Sequence, residues 1–253
     1  MARARRALVD AHVHLHEFER KDVEEFVSSG MVLVAVSDDY ESSLKTLELR
    51  DSYPESVVAC VGIHPWQIPE EGIPVEVLEA TVDLVREADC VGEVGLDLKF
   101  VPQTFNAQVR VLCRLAEEAV RLGKTLNVHA AGAWREVLDM LLKLGGASAI
   151  FHWYTGPEEL LPLLREKGFF VTVNPALKIQ KRLREIAVKL PEDLLLLESD
   201  GPYDYRGLKL SPRAIPDLIE ELARLRGTPP DALLATVWKN FTRAFPRYTA
   251  GPL

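Results

Sequence analysis

Eight short apolar runs recur along the chain, each bounded by turn-forming residues and each followed by a stretch with helical apolar spacing. They are Leu8–Val13, Met31–Val36, Val57–Ile63, Cys90–Val94, Thr125–Val128, Ser148–Phe151, Phe169–Val173 and Leu194–Leu197. Nearly every position in them is apolar, with no alternation, which is how strands buried on both faces of a parallel sheet read. Between them, sets such as Val75-Leu78-Val82-Val85 and Val109-Leu112-Leu115-Ala119 repeat at the period of a helix that lays one face on a core. The pattern predicts a single α/β domain over residues 1–253, a (β/α)8 TIM barrel. Pro229-Pro230 interrupts the last helical region, so Asp231–Phe245 is expected as a C-terminal capping helix. An open doubly wound sheet is the competing architecture, but no GxGxxG or phosphate-binding glycine loop follows any run.

Residues that ligate divalent metals gather at the ends of these runs. His12 and His14 are two apart in an extended segment, so both rings point to one face, the mouth of a barrel, where they can hold one ion. Asp10 is a candidate to orient one of those rings. Glu93 sits inside the continuous run Cys90-Val91-Gly92-Glu93-Val94-Gly95, where an ionised carboxylate must be paired or metal-bound. Gly92 and Gly95 beside it would let backbone and ligands approach closely. Its two oxygens can bridge two cations, and His129 and His152, at successive strand ends, are expected to hold a second ion with it. Asp200, after the Leu194–Leu197 run, could touch a metal and accept a proton from water. Glu198 has the same parity and is expected to face inward, whereas His16 lies past the first run and reads as loop. Two divalent ions (Zn, Mn, Mg or Co) are the expected cofactors.

Net charge is −8, so no global positive field draws in duplex DNA or an anionic membrane. No apolar stretch reaches membrane-spanning length. The start Met-Ala-Arg-Ala-Arg-Arg-Ala has the charge of a leader, but no apolar segment follows it before Asp10. Cys60, Cys90 and Cys113 show no CxxC spacing and are expected to be buried free thiols, in keeping with a reducing cytoplasm.

The order Asp10-x-His12-x-His14, Gly62-x-His64-Pro65, Gly92-Glu93-x-Gly95-Leu96-Asp97, then His129, His152 and Glu198-x-Asp200-x-Pro202, resembles the TatD family of metal-dependent hydrolases in the amidohydrolase superfamily. The resemblance covers nearly the whole chain and extends to Gln108, Pro191 and the closing Asn240-Phe241-Thr242-Arg243-Ala244-Phe245. It implies a (β/α)8 barrel that hydrolyses phosphodiester bonds, typically as a DNase, with single-stranded DNA or its 3′ ends as substrate. By that resemblance His12 and His14 would hold one metal with Glu93 and Asp200, and Glu93 would bridge to a second held by His129 and His152. His64 would contact the scissile phosphate, and Asp200 would orient or deprotonate the attacking water. The chain departs from the family where an Arg usually stands two residues after the fifth-strand His, here Ala131, and where Trp153-Tyr154-Thr155-Gly156 follows His152.

Losing that Arg removes a bidentate phosphate contact. Lys99, Arg135, Lys178, Lys181, Arg182 and Arg206 are candidates to replace it. Trp66, Trp153, Tyr154, Tyr203 and Tyr205 could stack bases or wall a small-molecule pocket. Two further functions therefore stand beside the nuclease: an amidohydrolase acting on a small-molecule lactone, amide or amine, and a non-catalytic metal-binding protein. A monomer or small homo-oligomer is expected.

Overall fold

The computed structural model describes residues 8–248, so the cationic start lies outside the described residues. Eight strands pair side by side in sequence order. They are β1 (Val9–Val13), β2 (Val32–Ala35), β3 (Val57–Val61), β4 (Cys90–Gly95), β5 (Thr125–His129), β6 (Ala149–Phe151), β7 (Phe170–Val173) and β8 (Leu195–Leu197). Every pairing is parallel. All eight strands are buried along their whole length, because helices cover the outside and side chains fill the inside. Each apolar run of the sequence is one of these strands, its ends shifted by at most two residues.

The β1–β8 seam is closed beyond the strands' own ladders. Asp200 N donates to His12 O (2.9–3.0 Å for this bond and its neighbour), and His14 N donates to Gly201 O. Ser199 N donates to Asp10 Oδ1 at 2.8 Å. Asp10 thus staples the seam and does not orient a histidine ring, which corrects its expected role.

The outer helices are α1 (Arg20–Ser28), α2 (Tyr40–Ser52), α3 (Val75–Leu84), α4 (Phe105–Leu122), α5 (Trp134–Leu144), α6 (Leu161–Glu166), α7 (Lys181–Lys189) and α8 (Ile215–Arg226). The last, α9 (Pro230–Ala244), starts on the proline pair; its Asn240 Nδ2 donates to Leu195 O at 2.8 Å and fixes it to β8. None of the described helices is long and apolar enough to cross a membrane. A two-stranded hairpin absent from the sequence expectation, β9 (Asp204–Tyr205) with β10 (Leu208–Lys209), rises after β8. Arg206 and Gly207 turn it with φ of 55° and 84°.

The cysteines correct the sequence expectation. Cys60 and Cys90 are opposed in the β3–β4 register and joined by a disulfide, while Cys113 is free and half-buried. Spacing along the chain carries no information about cross-strand register, which is what brings the pair together. The free-thiol basis for a reducing compartment falls with it.

Candidate metal centre

Glu93 stands at the middle of the mouth, and its two oxygens face different histidines. Oε2 lies 3.3 Å from His12 Nε2 and 3.4 Å from His14 Nε2. Asp200 Oδ1 completes this group at 3.5 Å and 3.6 Å from the same two nitrogens. Oε1 lies 2.8 Å from His129 Nδ1, 2.9 Å from His152 Nε2 and 3.2 Å from His64 Nε2. The rings of His12 and His152 stack at 4.1 Å between centroids and join the two halves. The structure therefore brings all six expected ligands together in one cluster, with His64 at its edge.

Strand irregularities aim these side chains. The β1 register shifts between Asp10 and Val13, at His12, and the β4 register shifts between Val91 and Val94, at Glu93. Gly92 is required there: a Cβ on it would stand 2.7 Å from Asn127 Cβ. A Cβ on Gly95 would overlap His129 O, so β5 can bring its histidine against β4 only beside glycine. Asp200 and Trp153 both hold positive φ, 55° and 42°, an uncommon backbone that collects at working sites.

The far nitrogens of His12 and His129 are held by acceptors, which leaves the near lone pair for the centre. His12 Nδ1 meets Asn127 Oδ1 at 2.8 Å, and Asn127 Nδ2 donates to Ala11 O, which fixes the amide's orientation. His14 Nδ1 lies 3.1 Å from Asp38 Oδ1, and His129 Nε2 lies 3.0 Å from Asp97 Oδ2. His12 Nε2 is buried with no hydrogen-bond partner, an orphaned donor atom aimed at Glu93 and Asp200. Four nitrogen–oxygen separations of 3.3–3.6 Å have the length of four of the six edges of a tetrahedral ligand set. Its centre would be about 2.1 Å from each corner, the distance at which Zn²⁺-sized ions bind imidazole and carboxylate. The residues fit a divalent cation.

His64 differs. Its Nδ1 accepts a hydrogen bond from Trp66 N at 3.0 Å, so in the neutral ring the proton sits on Nε2 and points into the cluster. A nitrogen bearing a proton donates a hydrogen bond and does not ligate. His16 Nε2 lies 3.1 Å from Asp38 Oδ2, on the side of His14 away from Glu93, and its ring stands edge to face with His14 at 6.0 Å.

Without a cation, charge balance is set by protons. Burial raises the pKa of the Glu93 carboxyl, but His64, His152 and His12 outweigh it and hold it well below the ordinary value. Burial lowers His12, but Glu93 outweighs it and brings the ring up to about 9; for His129, Asp97 and Glu93 do the same, also to about 9. Burial dominates at His152 and takes it down to about 4, a neutral ring. Glu198 is fully buried, as expected from its parity, accepts from Trp153 N at 2.9 Å, and is pushed up by burial to about 8.

Above the cluster lies a cavity of about 290 Å³, walled by aromatic side chains. Trp66 and Phe100 stand on one side, and Trp153, Tyr203 and Tyr205 on the other. Tyr154 was expected here but is fully buried, its hydroxyl donating to Pro157 O at 2.6 Å. Of the six candidate cations, only Lys99 lines this cavity. Arg182 pairs with Glu158 at 2.9 Å, and Arg206 lies over the Tyr205 ring.

Three positioning residues were missed in the sequence. Asn127 shares strand parity with His129, a signal that could have found it, and Asp97 lay inside a quoted motif. Asp38 follows β2 with no local signature.

A family profile described as TatD related DNase matches residues 9–246. An uncharacterised metal-dependent hydrolase of Methanocaldococcus jannaschii is 24% identical over 94% of this chain and 97% of its own length. The human deoxyribonuclease TATDN3 is 26% identical over 95% of both chains. Among solved structures, the TatD homologue YJJV of Escherichia coli superposes with a TM-score of 0.83 at 21% identity, over 94% of this chain and 98% of that one.

Proposed function

This chain belongs to the TatD related DNase family of metal-dependent hydrolases, and on that premise we propose that it cleaves phosphodiester bonds near the ends of single-stranded DNA with two divalent cations. The observation that carries the proposal is Glu93, whose two oxygens each face a separate histidine set within 3.4 Å. His12, His14 and Asp200 would hold one cation with Glu93 Oε2, and His129 and His152 a second with Oε1. When bound, such a pair polarises the phosphoryl group and supplies a water acidic enough to attack near neutral pH.

The chain's own residues do the rest. Asp200, on a backbone held by His12 O, takes the proton of the attacking water. His64 donates a hydrogen bond from its Nε2–H to a phosphoryl oxygen, its tautomer set by Trp66 N. The aromatic walls stack bases, and a cavity of about 290 Å³ suits the end of a splayed single strand and not a duplex.

One observation favours a small-molecule ester or amide instead: Glu17, Asp38, Glu93 and Asp200 line the cavity against a single lysine. A direct test strips the protein with chelator, reloads it with Mg²⁺, Mn²⁺ or Zn²⁺, and offers single-stranded DNA, duplex DNA, a lactone and an amide. Cation-dependent cleavage of single strands over duplex is expected. Turnover of the lactone or amide with no phosphodiester cleavage under any cation would overturn the proposal.

A further inference from the structure

One carboxylate organises the rim of the cavity beside the His129 half of the cluster. Asp97 Oδ1 accepts from Lys99 N at 2.8 Å and Phe100 N at 2.7 Å. Its Oδ2 accepts from Trp66 Nε1 at 2.6 Å and lies 3.0 Å from His129 Nε2. Gln108 locks the same turn, its Oε1 accepting from Asp97 N at 2.7 Å and its Nε2 donating to Val101 O at 2.8 Å. A rim loop, an indole and a histidine of the cluster are thus held in one frame.

What the frame presents is unusual for a surface. Trp66 is 46% exposed and Phe100 58%, their rings edge to face at 5.7 Å. Lys99 Nζ rests 4.8 Å from the Phe100 centroid and forms no ion pair with a described carboxylate, although acidic residues line the cavity. On the adjoining wall Ala130, Ala131 and Gly132 bring no charge and no bulk, and the Gly132 α-carbon turns where a Cβ would lie 3.5 Å from Lys99 Cβ. Two exposed aromatic faces with an unpaired ammonium beside them match a nucleotide: a flat base and the phosphate that follows it.

From this arrangement we infer that Lys99, Trp66 and Phe100 form a second subsite, which takes the base and the non-scissile phosphate of the nucleotide adjoining the bond that is cut. The inference rests on the phosphodiesterase reading and deepens it. Binding energy gained there from a part of the substrate that does not react makes Lys99 a determinant of substrate length. A lone partly exposed cation discriminates by about fivefold, not by the orders of magnitude of a buried arginine clamp.

The test compares a thymidine dinucleoside monophosphate, which has only the scissile phosphate, with the trinucleoside diphosphate, which has one more phosphate and base. The metal-loaded wild-type protein is expected to prefer the longer substrate in kcat/KM. Lys99→Ala should reduce that preference about fivefold, through KM and not kcat, and Lys99→Arg should restore it. Adding salt should erode the wild-type preference toward that of Lys99→Ala. Placing an abasic site in the middle nucleoside, between the scissile and the non-scissile phosphate, should weaken wild-type binding and leave Phe100→Ala indifferent. An unchanged length preference in Lys99→Ala, or an equal loss of kcat on both substrates, would overturn the subsite while leaving the phosphodiesterase reading intact. Failure of the wild type to cleave either substrate with any cation would overturn both.

Discussion

Asp97 and His129 are joined by a contact of 3.0 Å between carboxylate Oδ2 and ring Nε2, and that contact leaves His129 Nδ1 free to face Glu93 at 2.8 Å. Burial works against the Asp97 charge, but His129 and Trp66 outweigh it and bring the carboxyl down to about 2, so it accepts from the ring at any working pH. Asp97→Asn keeps the shape and the Asx turn but removes the charge. Metal affinity at the His129–His152 half is expected to fall about 10- to 100-fold, the usual cost of losing the partner behind a ligating histidine. Competition titration with a chelating dye reads this, and affinity within twofold of wild type would show that the contact does not orient the ring.

Glu93→Gln tests the shared carboxylate itself. The amide is isosteric, but one of its atoms becomes a donor and its charge is gone, so it cannot face both histidine sets as an acceptor. On the proposed two-cation centre, bound metal should fall to one ion per chain or none, and hydrolysis by on the order of a thousandfold, with the circular dichroism of the barrel retained. Metal analysis and a turnover assay on the same preparation check both; full activity would remove Glu93 from the centre.

How far the sequence revealed this depended on whether a residue's role follows from its own strand or from another. All eight strands were legible because double-sided burial leaves runs with few polar interruptions, and Glu93 stood out as a charge inside one of them. His12, His14, His129 and His152 were legible by parity and by position at strand ends. Asp10 was not, since its partner Ser199 lies across the seam, 189 residues away. The Cys60–Cys90 pairing and the Asp38–His14 contact depend likewise on register and loop path, which local pattern does not encode. Tyr154 failed for a simpler reason: its ring is buried edge-on against Trp134 at 4.7 Å, with its hydroxyl on Pro157 O, a packing that the local sequence does not encode.

Protons should leave when metal enters. His12 and His129, at about 9, are protonated at pH 7 in the cation-free protein, whereas His152, at about 4, is already neutral. Their raised values also stabilise the cation-free fold: the contribution is complete below the unfolded value near 6.5 and is lost as pH climbs through about 9. Cations compete with those protons, and with the one on His14, which burial disfavours but Asp200 and Asp38 hold well above its ordinary value, so apparent metal affinity should rise with pH through about 9. Calorimetric titration in two buffers of different ionisation heat counts the protons released; none released at pH 7 would contradict the protonated pair.

The disulfide between Cys60 and Cys90 closes a loop with a sequence separation of 30 on the two strands that flank the cluster, β3 leading to His64 and β4 carrying Glu93. Closing a loop of that length restricts the unfolded chain by about 3–4 kcal/mol in the chain-entropy account. A domain of this size loses about 2–4 °C in Tm for each kcal/mol. Reduction, or the double change Cys60→Ala with Cys90→Ala, should therefore lower Tm by about 10 °C, less any relief gained by repacking. The pair is fully buried, so the reductant must reach it through partial unfolding, and reduction of the native protein should be slow without denaturant. Differential scanning calorimetry of oxidised, reduced and double-variant protein separates the possibilities. Equal Tm for all three, with mass spectrometry of alkylated protein reporting one free thiol in the oxidised sample and three in the reduced one, would mean the native barrel holds β3 against β4 without help from the bond.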